Sequence, residues 1–143
     1  MIVIREIRQE DFECLLNNES LRSLITIDTG GANVFSLIVE DNNEIVAGLS
    51  GHVLKRSAIV KSLVFTQSKQ KDIIKDGLYR ALINKLDKEG VEYLFTDEID
   101  PLLEGLGFKK LDKSNQDICL ELKDQDDSDL DSLFWVAIKG YFD

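Results

Sequence analysis

The feature that most constrains this chain is a change of hydrophobic period at residue 71. From residue 34 to residue 65 apolar residues come in short strand-like runs separated by turn chemistry. From 71 to 89 they recur at helical spacing, with Ile74, Leu78, Ala81, Leu82, Lys85 and Leu86 forming a stripe before Gly90. The strand runs cover 34–40, 44–54 and 58–65. Asp41-Asn42-Asn43 and Lys55-Arg56-Ser57 between them suit tight turns. An antiparallel meander followed by one long helix is therefore predicted, and the flanking sequence must cover both faces of that sheet.

On the amino-terminal side, 3–7 reads as a strand. The acidic stretch Glu10-Asp11 then opens a helix that places Phe12, Leu15 and Leu16 on one face. Ser20 begins a second helical piece with Leu21, Leu24 and Ile25, and Gly30-Gly31 closes it. Beyond the long helix, 91–95 reads as a short buried strand. Asp100-Pro101 is a helix start with Asp as N-cap and Pro at the first helical position. Residues 108–111 and 118–122 read as a closing hairpin around Asp112-Lys113-Ser114-Asn115. The order β, α, α, β, β, β, α, β, α, β, β predicts an α/β protein with a mixed, mainly antiparallel central sheet flanked by helices.

At 143 residues one domain is expected, drawn over 1–123. Residues 124–143 form an acidic linker rich in Asp and an apolar tail, Leu133-Phe134-Trp135-Val136-Ala137-Ile138, that packs on the domain or on a partner subunit. The Asp spacing in the linker lacks the Gly and Glu of a calcium loop.

Charge narrows the partners. With 17 bases against 27 acids the chain carries −10, which opposes nucleic acid and anionic membrane as partners and suits a cationic amine. Yet 55–90 hold nine bases and four acids, a +5 zone inside a protein otherwise at −15, as a phosphate-bearing ligand would favour. Cys14 and Cys119 have no CxxC partner and His52 is the sole histidine, so no zinc site of ordinary spacing can be assembled. An early charged amino terminus and short apolar runs give no signal peptide or membrane span, and a cytoplasmic protein is expected.

Over about residues 2–123 the element order and three local patterns resemble the GNAT N-acetyltransferase superfamily. Leu63-Val64-Phe65 ends a strand, and Gln70 stands five residues beyond, where that family opens a Q/R-x-x-G-x-G/A loop before a long helix. Here the loop reads Gln70-Lys71-Asp72-Ile73-Ile74-Lys75, so Ile73 and Lys75 replace both glycines. Gly77-Leu78-Tyr79-Arg80-Ala81-Leu82 continues the helix, and Leu102-Leu103-Glu104-Gly105-Leu106-Gly107-Phe108 resembles the family's F-Y-x-x-L-G-F ending, with Leu103 in place of Tyr.

The resemblance implies a GNAT-like acyl-CoA N-acyltransferase fold and acetyl-CoA as co-substrate, with a small or peptidic amine as acceptor. It also implies binding of the coenzyme by Leu63, Val64, Phe65, Gln70, Lys71, Asp72, Ile73, Ile74, Lys75 and Thr96. The chemistry behind such a loop is general: amides at a helix amino terminus are unpaired and its dipole favours an anionic pyrophosphate. Lys69, Lys71 and Lys75 would add charge-assisted contacts. The strand ending at Phe65 would splay from 91–95 and leave backbone groups for the pantetheine arm. Glu98 or Asp97 as base, Tyr93 or Tyr79 as acid, and His52 are candidates for proton transfer, with no catalytic residue assigned. The missing glycines and Tyr keep open a non-catalytic GNAT-like module that binds acyl-CoA, another small ligand or a protein. The aromatic tail keeps open a homodimer. Gly48 and Gly51 in the second strand of the meander point to a bulge or a close approach.

Overall fold

Two consecutive asparagines set the first hairpin. Asn42 and Asn43 adopt φ of 53° and 70°, the left-handed pair that matches the twist of a two-residue hairpin. They join strand β2 (Asn33–Asp41) to β3 (Glu44–Leu54), and a turn with Lys55 at φ 56° joins β3 to β4 (Ser57–Phe65). β1 (Ile2–Glu6) adds antiparallel to β2. The computed structural model describes residues 2–25, 33–67, 69–111 and 132–142.

The remaining strands are β5 (Tyr93–Thr96), β6 (Lys109–Lys110) and β7 (Phe134–Ala137), and the seven stand in the order β1-β2-β3-β4-β5-β7-β6. β4 and β5 run parallel, and the other neighbouring pairs are antiparallel.

The switch of period at residue 71 is helix α2 (Lys71–Lys88). It ends in a Schellman arrangement: Gly90 at φ 81° donates to Asp87 O at 3.1 Å, and Val91 donates to Leu86 O at 3.0 Å. α2 buries Ile74, Leu78, Tyr79, Leu82, Ile83 and Leu86 against Phe35, Leu37, Val39 and Leu49 on the sheet. Helix α3 (Pro101–Gly105) joins this layer through Leu103, and its N-cap Asp100 accepts from Leu103 N at 2.8 Å.

The opposite face carries two smaller clusters. Leu15 of α1 (Phe12–Asn17), with Leu21 and Leu24 from the 3₁₀ turn that follows, packs on Ile38. At the far end Leu54, Ile59, Phe95, Leu111, Leu133 and Trp135 pack together. The expected stripe on α1 reduces to Leu15, because Phe12 and Leu16 lie 45% and 49% exposed. A six-residue helix makes one line of contact with the sheet. Its approach is fixed by Arg5, whose guanidinium bonds both oxygens of Asp11 at 2.8 Å and also pairs with Glu40. That guanidinium holds the Asp11 carboxyl below the usual range against the opposing effect of burial.

The tail contributes an inner strand. β7 lies between β5 and β6, with Trp135 opposite Phe95 on one side and Lys109 on the other. The observed partner of β6 is thus β7, where the sequence pairs 108–111 with 118–122, and 118–122 lie outside the described residues. The junction drawn at 123/124 also falls outside them. Leu133, Trp135, Val136 and Ile138 are buried in this chain's own core, and Phe142 is the tail's exposed aromatic among the described residues. No described helix is long and apolar enough to cross a membrane.

Candidate active site

The site begins with an extra residue. β3 and β4 pair Ser50 with Ser62 and then Gly51 with Val60, so Lys61 is a bulge. A bulge bends its strand and sharpens the local twist. Gly51 makes the close approach possible, since a Cβ there would sit 2.0 Å from Ile59 O and 2.6 Å from Phe35 Cζ.

The consequence appears on the other side of β4. Its pairing with β5 covers only Ser57, Ala58 and Ile59, opposite Tyr93, Leu94 and Phe95. From Val60 to Phe65 β4 keeps β3 on one side and, among the described residues, has no strand on the other, whereas β5 turns to β7, with Thr96 opposite Phe134. Alternate residues of a strand with one free side direct their N–H and C=O groups outward, and such groups need a partner. Between the parted strands lies a cavity of about 110 Å³ lined by Val60, Lys61, Ser62, Leu63, Thr96, Asp97 and Glu98.

The amino end of α2 lies just beyond β4. Gln70, at φ 60° and ψ 23°, turns the chain into the helix and supplies no side-chain cap. Its carbonyl accepts from Ile74 N at 2.9 Å. Lys71, Asp72 and Ile73 therefore hold the first-turn amides that have no intrahelical acceptor. Lys71 Nζ sits 5.4 Å above the Phe65 ring, a cation–π contact that ties helix start to strand end.

Lys75 braces the other side. Its ammonium bonds Asp100 at 2.6 Å and Glu98 at 3.1 Å. Burial opposes its charge, but these two hydrogen bonds outweigh that penalty and hold Lys75 above the ordinary lysine range. Burial likewise raises the Asp100 carboxyl, yet the bonds from Lys75 and the Leu103 amide leave it below the usual value. One aspartate thus caps α3 and anchors the first turn of α2.

Three solved structures match this architecture over most of the chain. An alanine N-acetyltransferase of a ribosomal protein from Escherichia coli superposes with a TM-score of 0.65 at 16% identity, over 96% of this chain and 94% of that one. A GNAT family acetyltransferase from Staphylococcus aureus gives 0.63 at 13% identity, over 96% and 99%. A GNAT family acetyltransferase from Brucella melitensis, solved in complex with acetyl-CoA, gives 0.60 at 15% identity, over 76% and 83%. The fold is that of the GNAT acetyltransferases. No family model matches the chain, and no curated protein does.

Within this GNAT fold the predicted site residues separate into three groups. Leu63 and Thr96 line the cavity between the parted strands, while Val64 and Phe65 continue β4 past it. Gln70, Lys71, Asp72 and Ile73 are exposed at the helix start, Ile73 by 65%. Ile74 and Lys75 face elsewhere. Ile74 is core, with its amide already bonded to Gln70, and the Lys75 ammonium is directed at Asp100 and Glu98, away from the role of phosphate ligand foreseen for it.

Of the proton-transfer candidates, Asp97 and Glu98 line the cavity. The Tyr79 hydroxyl is buried beside Thr96, and burial keeps it a phenol far above the usual range against the opposing effect of the Thr96 side chain. Tyr93 packs edge-on against Trp135, with ring centroids 6.0 Å apart. Leu103, in the place of the family's Tyr, is fully buried. Gly51 pointed to a bulge or a close approach, and both are observed there, but the sequence carried no signal for the placement of the extra residue at Lys61 or for the contributions of Val60 and Ser62.

Proposed function

We propose that this protein is an acetyl-CoA-dependent N-acetyltransferase acting on a small or peptidic amine in the cytoplasm. The observation that carries the reading is the parting of β4 from β5 after Ile59, which opens a cavity directly beside an uncapped helix amino terminus. The fit to coenzyme A rests on these features. Backbone groups of β4 at 62–65 that face away from β3 match the amides of a pantetheine arm, and the Lys71, Asp72 and Ile73 amides match a pyrophosphate. Lys69 and Lys71 add positive charge there, against which Asp72 acts. When bound, acetyl-CoA supplies an acyl group already activated as a thioester.

The chain's own residues do the rest. The Ile73 side chain stands out from the helix start and leaves the backbone amide to meet phosphate, with its Cβ narrowing the approach. Asp97, exposed at the cavity, draws a cationic amine toward it, and Glu98, shared with Lys75, keeps the rim rigid. The exposed free thiol of Cys14 suits a reducing compartment.

Thermal melting with and without acetyl-CoA tests the reading. A ligand that binds only the folded state adds ~2.7 kcal/mol at a hundred times its dissociation constant. A raised midpoint, followed by thiol release with one or more of a panel of primary amines, is expected. No shift refutes the proposal, and a shift without thiol release makes the protein a non-catalytic acyl-CoA-binding module.

A further inference from the structure

The gap between β4 and β5 contains an amine of its own. Lys61, the bulged residue of β4, is exposed and lines the cavity of about 110 Å³. The bulge decides what surrounds it. Val60 and Leu63 both pack in the layer beneath α2, whereas strict alternation would set them on opposite faces. The extra residue resets the count, so Lys61 and Ser62 fall together outside that layer, and Ser62 bonds Ser23 of the 3₁₀ turn on the other face at 2.8 Å.

A carboxylate stands across the gap. Phe95 packs on the face opposite α2, Thr96 sits beside Tyr79 of α2, and Asp97 follows the end of β5. Asp97 lines the same cavity and is exposed. Lys75 holds its neighbour Glu98 at 3.1 Å, whereas Asp97 has no ion-pair partner among the described residues. Among the lining residues Lys61 is thus the one primary amine and Asp97 the one unengaged carboxylate.

We propose that Lys61 is a self-acetylation site, its ε-amine taking the acetyl group of a coenzyme A thioester seated in the gap. The assignment rests on the acetyltransferase reading, which sets the thioester there. Asp97 takes one proton from the ε-ammonium and returns it to water. The lone pair freed on Nζ attacks the thioester carbonyl carbon, and the C–N bond forms as the C–S bond breaks. The coenzyme leaves with the sulfur electron pair and takes up the second proton of the amine as a thiol. The product is a neutral amide, so each event removes one positive charge from the basic zone over 55–90. A tethered amine beside the thioester avoids the entropic cost of bringing two molecules together, which concentrates the modification on this one lysine.

Incubation of the protein with acetyl-CoA and no external amine, followed by digestion and peptide mass spectrometry, tests the assignment. Lys88 is the internal control, because it is also exposed and lines a larger cavity, of about 410 Å³, between β1 and α2. Acetylation is expected about tenfold faster at Lys61 than at Lys88, with a rate per molecule that holds when the protein is diluted. Asp97→Asn should slow it about 100-fold at Lys61 and leave Lys88 unchanged. A readout free of acetyl transfer uses coenzyme A without its acetyl group, which is expected to shield Lys61 from reductive methylation and leave Lys88 open to it. Equal acetylation of the two lysines, a rate that falls in proportion to protein concentration, no effect of Asp97→Asn, or no shielding by coenzyme A overturns the assignment. The acetyl-CoA melt on the same sample keeps the two ideas apart. A raised midpoint with Lys61 unmodified rejects self-acetylation and retains the enzyme, whereas no shift and no modification rejects both.

Discussion

Replacing Gly51 with Ala should damage both the stability and the opening between the strands. A Cβ at this position meets the Ile59 carbonyl oxygen at 2.0 Å and the Phe35 ring at 2.6 Å. The phenyl ring can tilt, but Ile59 O is backbone in the last pair before β4 leaves β5, so β4 must move by more than 1 Å or lose its bulge. Overpacking of this kind costs typically 1–3 kcal/mol, and backbone contact argues for the upper end, about 3 kcal/mol. Against a total stability on the order of 5–15 kcal/mol that loss is large.

Urea unfolding followed by the fluorescence of Trp135, the only tryptophan and a buried one, measures it directly. Two other glycines calibrate the result. Gly90→Ala meets no atom but keeps a left-handed φ of 81°, which should cost about 1 kcal/mol. Gly105→Ala meets no atom, lies within α3 and should be neutral or slightly stabilising. If Gly51→Ala unfolds within ~0.5 kcal/mol of the parent, the bulge does not depend on the missing side chain and the account of the gap fails. In the folded fraction of the variant, the midpoint shift given by acetyl-CoA should also shrink.

Other substitutions test separate parts of the site. Asp100→Ala removes the α3 cap, worth about 1 kcal/mol, and a half-exposed ion pair worth roughly 0–1 kcal/mol. Its cost should therefore be close to 1.5 kcal/mol at neutral pH by urea unfolding. Because the folded-state carboxyl of Asp100 titrates below its unfolded value, its stabilisation is full above about pH 4 and is lost as the pH falls through the folded value. Parent and variant should thus converge in acid, and a constant difference would discard the pairing. Ile73→Gly should lower the melting temperature slightly, by the helix propensity of one first-turn residue, while tightening acetyl-CoA as measured by calorimetry. Weaker binding in that variant would show that the side chain helps to hold the coenzyme.

Local chemistry made much of the fold legible. Asp100 and Pro101 start α3, Gly90 ends α2 with positive φ, and Asn42-Asn43 turn the first hairpin, each through an interaction within a few residues. The stripe on α2 also emerged, although Tyr79 and Ile83, both fully buried, widen it beyond the spacing that the sequence suggested. Long-range register was not legible. The bulge at Lys61 depends on how two strands align, and no period within either strand records that. Lys75 read as a phosphate ligand because it falls in the loop that resembles the family's phosphate-binding one, but its neighbours in space are Glu98 and Asp100. β7 was missed as an inner strand because four residues at the end of an acidic stretch carry little periodic signal.

The position of β7 has a bearing on how the polypeptide is made. Among the described strands, β5 emerges with one flank bare and β6 without a partner until Phe134–Ala137 arrive to fill the slot between them. Every nascent chain therefore passes through a stage at which the meander and α2 can assemble while Phe95 lacks its cross-strand neighbour Trp135. Any premature stop upstream of residue 134 should leave that stage permanent, with an adhesive strand edge on display to quality-control machinery.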